Sequence, residues 1–415
     1  MQLQTILNRV HKVKGFVYEQ ARFDDDRNGI EVTLRPRCGS RAYCSGCVRR
    51  RPGYDTLPER RFEFVPLWGL AVFLVYARRR VNCPTCGVIA ELLPWAEGKQ
   101  HLTTAYMVFL ARWARRLSWL EVAGIFKTSW DSVFRAVEWI VEYGLKHRDL
   151  SNITAIGVDE VQFQKGHHYL TVVYQIDSAC RRLLWIGPER TAKTLLRFFR
   201  MLGRERTAAL RFVCSDMWQP YLKVIAKKAS QALHILDRFH IVARLNKAID
   251  EVRAAEAREL AEKGFEPVLQ HSRWCFLKRP ENLTEKQKTR LADLLRYGLK
   301  SVRAYLLKES FQAFWEYTSY HWAGCYLDGW VKRALRSRLE PIQKVARSIR
   351  THEKLILNWF AAQKEFSSGI VEGLNYRVKL TLKKAYGYRT LETAEIALYH
   401  ALAKLPEPKL THEFC

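Results

Sequence analysis

Residues Ile153–Phe163 read ITAIGVDEVQF. A dense apolar, β-branched run of this length predicts a buried strand. It carries Asp159 out of its apolar run, where a carboxylate is costly to bury without a partner. A second strand-like run, Leu210–Asp216 (LRFVCSD), ends in the same way at Asp216.

Working outward, the pattern predicts strands at His168–Asp177 and Arg182–Gly187, with turns at Lys165–His167 and Ser178–Arg181, which together form an antiparallel meander. Thr191–Leu202 has helical spacing through Leu195, Leu196, Phe199 and Leu202. Strand Leu210–Cys214, helix Trp218–Lys228 and strand Ala232–Leu236 complete a β-β-β-α-β-α-β order. That is the ribonuclease-H-like order, in which the first and fourth strands are central neighbours. It sets Asp159 beside Asp216. Asp237-Arg-Phe-His240 follows the last strand, with Asp237 and His240 one helical turn apart. Both are auxiliary candidates, although a histidine there could equally pack against the sheet. Glu160, Asp177 and Asp237 are the rival acids.

Far downstream, Ser367–Lys384 (SSGIVEGLNYRVKLTLKK) reads as a basic helix holding Glu372. Lys379 lies seven residues on, hence on the same face, placed to hold a DNA phosphate. Arg377, Lys383 and Lys384 are further DNA-binding candidates. The bland alternatives are a loop-capping Asp216 and a solvated Glu372. Helical patterns at Ile241–Lys263, Glu285–Leu307, Phe311–Tyr320 and Trp330–Phe360 fill the interval. They form an all-α insertion whose Trp274, Trp315, Trp322, Trp330 and Trp359 read as core.

Upstream, Thr103–Arg116 is a candidate helix. Ser118-Trp-Leu-Glu121 is a capping box that starts another, Trp119–Phe126. Thr128 or Ser129 caps a third reaching about Leu145. Two helices joined by so short a link read as a helix-turn-helix, or as a plain αα-hairpin. As a groove reader the second would expose Ser129, Trp130, Ser132 and Arg135 and bury Val133, Val137 and Ile140.

Before this come a helix at Leu3–His11 and a short β-meander with a turn at Asp24–Gly29. Cys44-x-x-Cys47 and Cys83-x-x-Cys86 follow, separated by strand candidates Phe62–Val65 and Leu70–Arg78 joined through Pro66–Gly69. Two such turns brought together by a hairpin make a closed four-thiolate zinc site, structural rather than catalytic. Cys38 is an unpaired extra that could replace Cys44.

The formal charge of +27 predicts a polyanionic partner, most often nucleic acid, and a groove-reading helix would make that double-stranded DNA. Arg35–Arg80 holds eleven arginines against three acids. No run is long and apolar enough for a membrane helix and no signal peptide opens the chain, so a cytoplasmic, nucleoid-associated protein with reduced cysteines and no membrane partner is expected. Phosphoryl transfer on DNA can use two magnesium or manganese ions held by carboxylates. Asp159, Asp216 and Glu372 suit that role. No phosphate-binding glycine loop or Ser/His/Asp motif supports other chemistry.

Taken together, GVDE at Gly157–Glu160, SD at Ser215–Asp216, DRFH at Asp237–His240, S-G-x-V-E-G-x-N-x-x-x-K at Ser368–Lys379 and KKAYGYR at Lys383–Arg389 resemble the DDE transposases of bacterial insertion sequences, in the ISL-three group. The paired cysteines and the helix-turn-helix fit as well, although Cys44-Ser-Gly-Cys47 stands where the family has Cys-Pro-x-Cys. The resemblance implies binding of terminal inverted repeats, strand cleavage by activated water, and attack of the freed 3′-hydroxyl on target DNA. Asp159, Asp216 and Glu372 would be the metal ligands, in a dimer or higher assembly.

The expected architecture is thus α+β and multidomain. Residues 1–100 form a zinc-ribbon-like β domain and 101–150 a helix-turn-helix. Residues 151–245 begin a ribonuclease-H-like catalytic domain, 246–360 interrupt it as the helical insertion, and 361–415 complete it. A zinc-containing transcription regulator without catalysis is the alternative.

Overall fold

The structure is a computed structural model; it describes residues 2–25, 28–163, 168–365, 369–384 and 387–409. The protein is mixed α and β. It divides into two units, Met1–Asp149 with Lys379–Cys415, and Leu150–Val378.

In the first unit, α1 (Leu3–Val10) precedes β1 (Phe16–Asp24), β2 (Gly29–Pro36), β3 (Gly53–Leu67), β4 (Leu70–Cys83) and β5 (Gly87–Ala90). These strands make one sheet in the order β1-β2-β4-β3, with β5 pairing β4. β3 and β4 are much longer than their apolar centres suggested. Their ends are arginine-rich, and ladder pairing carries them outward from the buried Phe62 and Phe64. Trp68 and Gly69, both at positive φ, close the hairpin between them. Helices α2 (Thr104–Ala114), α3 (Trp119–Ile125) and α4 (Trp130–His147) follow. Each starts where its cap dictates. Thr103 accepts from Tyr106 N, Ser118 and Glu121 form the reciprocal capping box, and Ser129 accepts from Ser132 N.

The second unit is built on β6 (Ala155–Gln162), β7 (Tyr169–Ile176) and β8 (Arg181–Pro188), then α5 (Ala192–Leu202), α6 (Arg204–Ala208), β9 (Phe212–Ser215), α7 (Gln219–Lys228) and β10 (Leu233–Leu236). The strand order is β10-β9-β6-β7-β8. The first and fourth strands of this unit are neighbours, as expected, and they run parallel. Ile156 and Val158 of β6 and Val213 of β9 pack with Phe198 of α5 and Tyr221 and Ile225 of α7 into one apolar cluster. The short α6 escaped the periodicity reading because its five residues show no apolar period. The expected turn at Lys165–His167 lies outside the described residues, as does Ser368.

Helices α8 (Arg238–Glu262), α9 (Arg273–Leu277), α10 (Glu285–Leu295), α11 (Lys300–Gln312), α12 (Tyr320–Arg336), α13 (Glu340–Thr351) and α14 (Glu353–Ala361) come next. Two expected long helices are broken. Glu285–Leu307 splits because Gly298 follows the end of α10 and Glu256 of α8 caps a new start, accepting from Lys300 N at 2.6 Å and Ser301 N at 2.7 Å. Trp330–Phe360 splits at Arg338, which adopts φ 58°, just before Pro341 opens α13. Trp330, Trp315 and Trp359 are core, whereas Trp274 and Trp322 are exposed, correcting the core reading for those two. Lys308 is buried and donates to the carbonyls of Phe276 and Lys278.

The last helices are α15 (Gly369–Lys384) and α16 (Leu391–Leu402). α15 starts in the second unit and ends in the first; α16 packs on α4.

Trp330 is fully buried against Phe311, with its indole N–H bonded to Leu307 O at 2.8 Å. Trp330→Ala is expected to cost about 3–5 kcal/mol, read as a lowered midpoint in urea unfolding.

Candidate active site

β6 runs parallel to β9 with Ala155 against Phe212 and Gly157 against Cys214. Continuing that register sets Asp159 level with Asp216. On the far side of β9, Leu236 of β10 pairs with Ser215, and Asp237 N donates to Ser215 O at 2.9 Å. Three aspartates therefore stand at the same end of three adjacent parallel strands.

Asp159 projects from the opposite face of β6 to the apolar cluster, on the side where α15 lies. That helix comes very close: a Cβ built on Gly157 would meet Val371 Cγ2 at 2.5 Å. Only glycine allows the approach. It brings Asn375 Nδ2 to 2.5 Å from Asp159 Oδ2, while Tyr174 Oη donates to Asn375 Oδ1 at 2.7 Å. Asp159 Oδ1 accepts from Glu160 N at 2.8 Å. No lysine or arginine pairs with Asp159 among the described residues. Burial, with a smaller push from the charge of Asp237, raises its carboxyl above the ordinary range; Glu160 N–H, His240 and Asn375 oppose this.

Asp216 accepts from Arg190 Nη2 at 2.9 Å and, through its other oxygen, from Trp218 N at 3.0 Å. The loop-capping role considered for Asp216 is thus present together with its place at the strand ends. Arg190 also pairs with Glu160 and lies over the Trp218 ring, 4.5 Å from its centroid. Glu160 is pushed up to about 8, first by burial and then by the charge of Asp216, with Arg190 opposing. Asp237 caps α8 by accepting from Phe239 N at 2.7 Å, and its second oxygen lies 3.7 Å from His240 Nε2.

Glu372 sits exposed in the first turn of α15, three residues before Asn375 and so one turn away on that helix. The structure does not draw Asp159, Asp216 and Glu372 into a tight cluster. Among the described residues, the one group of three or more possible metal ligands with donor atoms within 4.8 Å of one another is Cys44, Cys47, Cys83 and Cys86. Cys38 stands outside it. Gly46 is needed there, because a Cβ on it would meet Cys86 Sγ at 2.8 Å. Four thiols at that spacing are compatible with a tetrahedral zinc ion.

Of the groove-reading candidates, Ser129, Trp130 and Arg135 are exposed and Ser132 is half-buried, with Val133, Val137 and Ile140 in the core. Ser129 is occupied as a cap, and Arg135 pairs with Asp131 at 2.8 Å. Lys379, Lys383 and Arg377 are exposed; Lys384 Nζ donates to Arg115 O at 3.3 Å. Several arginines of the basic run serve the first sheet instead: Arg79 pairs with buried Glu91, Arg61 with buried Glu31, and Arg80 with Asp55.

Sequence reading missed Arg190 and Tyr174. Arg190 sits in a polar loop with no periodic signal, and Tyr174 is one more aromatic in a strand. Asn375 was visible beside Glu372, but its bond to Asp159 depends on how the helix crosses the strand.

A transposase family model matches residues 156–398. The chain is 31% identical over 405 residues to the transposase for insertion sequence element IS1557 of Mycobacterium tuberculosis, spanning 91% of this chain and 90% of that protein. It is 28% identical over 383 residues to the transposase for insertion sequence element IS1001 of Bordetella parapertussis, spanning 91% and 93%.

The Glu160 carboxyl binds its proton more tightly folded than unfolded. Its contribution to stability is therefore complete below its unfolded value of 4.5 and is lost as pH rises through about 8. Glu160→Gln should flatten the decline in unfolding free energy between those limits, measured by urea titration at a series of pH values without added divalent ions.

Proposed function

The chain belongs to the DDE-type transposases of bacterial insertion sequences, in the ISL-three group, and from that premise we propose that it binds the terminal inverted repeats of its element and catalyses divalent-metal-dependent strand cleavage and strand transfer. The observation that carries this reading is the row of Asp159, Asp216 and Asp237 at neighbouring strand ends, with α15 locked over Gly157 so that Glu372 lies one turn from the residue holding Asp159.

In this reading the β10-β9-β6-β7-β8 sheet is a ribonuclease-H-like core, completed by α15 and interrupted by the helices from α8 to α14. The finer division runs 1–100, 101–150, 151–245, 246–360 and 361–415. The donor set fits hard cations: Asp159 is half-buried and bonded to neutral donors, a setting in which a carboxylate gains from a divalent ion. Asp159, Asp216 and Glu372 would hold magnesium or manganese, two ions per site, with Asp237 and His240 auxiliary. Bound there, such ions would activate the attacking oxygen and stabilise the leaving one.

The chain's own residues do the positioning. Tyr174 fixes the Asn375 amide so that its NH2 faces Asp159, which holds that carboxylate in one rotamer. Arg190 pairs with both Glu160 and Asp216 and so offsets part of the negative charge beside Asp159. His240, beside Asp237 and exposed, is placed to take or give a proton at the edge of the site. Lys379, Lys383, Lys384 and Arg377 would lie along phosphates, and α4 would enter the groove through Ser129, Trp130, Ser132 and Arg135. Synapsis of two ends calls for a dimer or higher assembly, in the cytoplasm at the nucleoid. Among the described residues, no helix is long and apolar enough to cross a membrane.

The test is cleavage of duplex DNA carrying the element's own ends, with magnesium. Asp216→Asn should abolish cleavage while binding persists. Asn375→Ala should slow it about 10–100-fold, as loss of a residue orienting a ligand does. Binding without cleavage in wild type and variants alike would instead favour a DNA-binding regulator. Separately, the purified chain should carry one zinc ion. Gly46→Val should lose it by elemental analysis, because the added side chain displaces Cys86.

A further inference from the structure

The first unit contains a cavity of about 470 Å³, and the reading above uses only its Trp130 and Lys384. It lies at the start of α4, within the range typical of small-ligand sites. Its walls include Trp119, Trp130 and Tyr388, with Arg115, Lys384 and His400 beside them. The rings form a connected group: Trp119 is 5.7 Å from Trp130 and 5.5 Å from Tyr388, centroid to centroid. Trp130 is braced from behind by Phe134, stacked at 5.4 Å and nearly parallel. Braced aromatic faces are costly to leave half-solvated and well suited to stack a flat ring.

His400 supplies the second, independent observation. It is only 6% exposed, yet its Nε2 has no hydrogen-bond partner among the described residues. A buried polar atom without a partner is destabilising unless something else supplies the bond. Burial first, then the charges of Arg115 and Lys384, push its pKa down to about 3, so the ring is neutral at ordinary pH. A neutral imidazole offers one hydrogen bond to the edge of an uncharged heterocycle. Lys384 offers positive charge nearby, as does Arg115, whose Nη1 already pairs with Glu407 Oε1 at 3.0 Å.

We propose that this cavity takes a single DNA nucleotide turned out of the duplex beside the groove-reading helix, its base stacked among Trp119, Trp130 and Tyr388, its edge bonded to His400 and its phosphate held by Arg115 and Lys384. The requirements coincide: a planar ring, one hydrogen-bonding edge and one anionic group. The site's position at the first residue of α4 puts such a nucleotide next to the DNA that helix would contact, and the inference rests on that reading. Extrusion of a base costs stacking and pairing, which a preformed aromatic pocket offsets. Among the chain's exposed aromatic residues, Trp130 then has a role beyond groove contact: it forms one wall of the receiving pocket.

The test uses the full chain and two duplexes of the element's end sequence. One carries a single 2-aminopurine nucleotide as a bulge in the end region, and the other is fully paired. Affinity is read by anisotropy and base capture by 2-aminopurine fluorescence, which stacking on tryptophan quenches. The bulged duplex should bind about tenfold more tightly with its fluorescence quenched. Ala401→Phe, which fills the cavity from α16, should erase both effects and leave paired-duplex binding unchanged. His400→Phe keeps the ring shape and removes the unpartnered nitrogen; it should weaken the preference even if the first variant folds poorly, which circular dichroism would show. Equal affinity for the two duplexes, or a preference that both variants retain, overturns the proposal while leaving end binding intact. Quenching by free 2-aminopurine deoxyribonucleotide without any preference for the bulge overturns it too, assigning the cavity to a small molecule. Failure to bind either duplex would overturn the end-binding reading and this inference together.

Discussion

The contact on which the candidate site depends is the approach of α15 to β6 at Gly157. A helix normally rides on a sheet at a distance set by side chains from both. Here one side contributes none, and Val371 fills the space where a Cβ would stand. The helix is lowered far enough for Asn375, nearly buried, to reach the carboxylate two residues along the strand. Any larger residue at 157 would lift the helix and break the Tyr174–Asn375–Asp159 chain of hydrogen bonds at its shortest link. It would also carry Glu372 away, since that residue moves with the same turn. One missing side chain thus couples two sequence segments more than two hundred positions apart.

A second constraint is that strands are parallel where chemistry gathers. β9 and β10 both run parallel to their inner neighbour. Their carboxyl ends therefore emerge on the same edge as that of β6, and a single acid after each strand is enough to collect three. β8, antiparallel to β7 and so parallel to β6, ends on the same edge and leads directly into the loop that holds Arg190 before α5. No lateral search is needed to assemble these groups; the ladder register does it.

Much of this was legible in sequence. The strand carrying Asp159, the run ending at Asp216 and the helix holding Glu372 all have periodic apolar patterns with a polar exception, which is what period analysis detects. The capping pair Ser118 and Glu121 also declared itself, and Ser129 was one of two caps open for α4, because a cap is a local bond between neighbours. What stayed hidden was either non-local or aperiodic. The break before α11 depends on Glu256 reaching across from α8. Arg190 belongs to a loop, where periodicity carries no information. The exposure of Trp274 and Trp322 depends on which faces of short helices find neighbours, and composition alone assigns tryptophan to the core.

The chain carries a formal +27, yet its candidate site gathers Asp159, Glu160, Asp216 and Asp237 at one sheet edge with a single arginine, Arg190, paired to two of them. Acids so placed repel one another, and burial deepens the penalty, which is why Asp159 and Glu160 both hold protons above the ordinary carboxylate range. Arg190 relieves Glu160 and Asp216 but does not pair with Asp159, whose partners are neutral. Evenly basic surfaces attract phosphates without distinguishing a reacting one. An acid pocket inside a basic chain would distinguish it: under the proposed function, basic surface elsewhere would attract DNA, while this edge would repel the backbone unless cations came with it. The separation of the two charges makes binding and reaction separable events, governed by different residues, which is what an enzyme acting on so abundant a polymer requires.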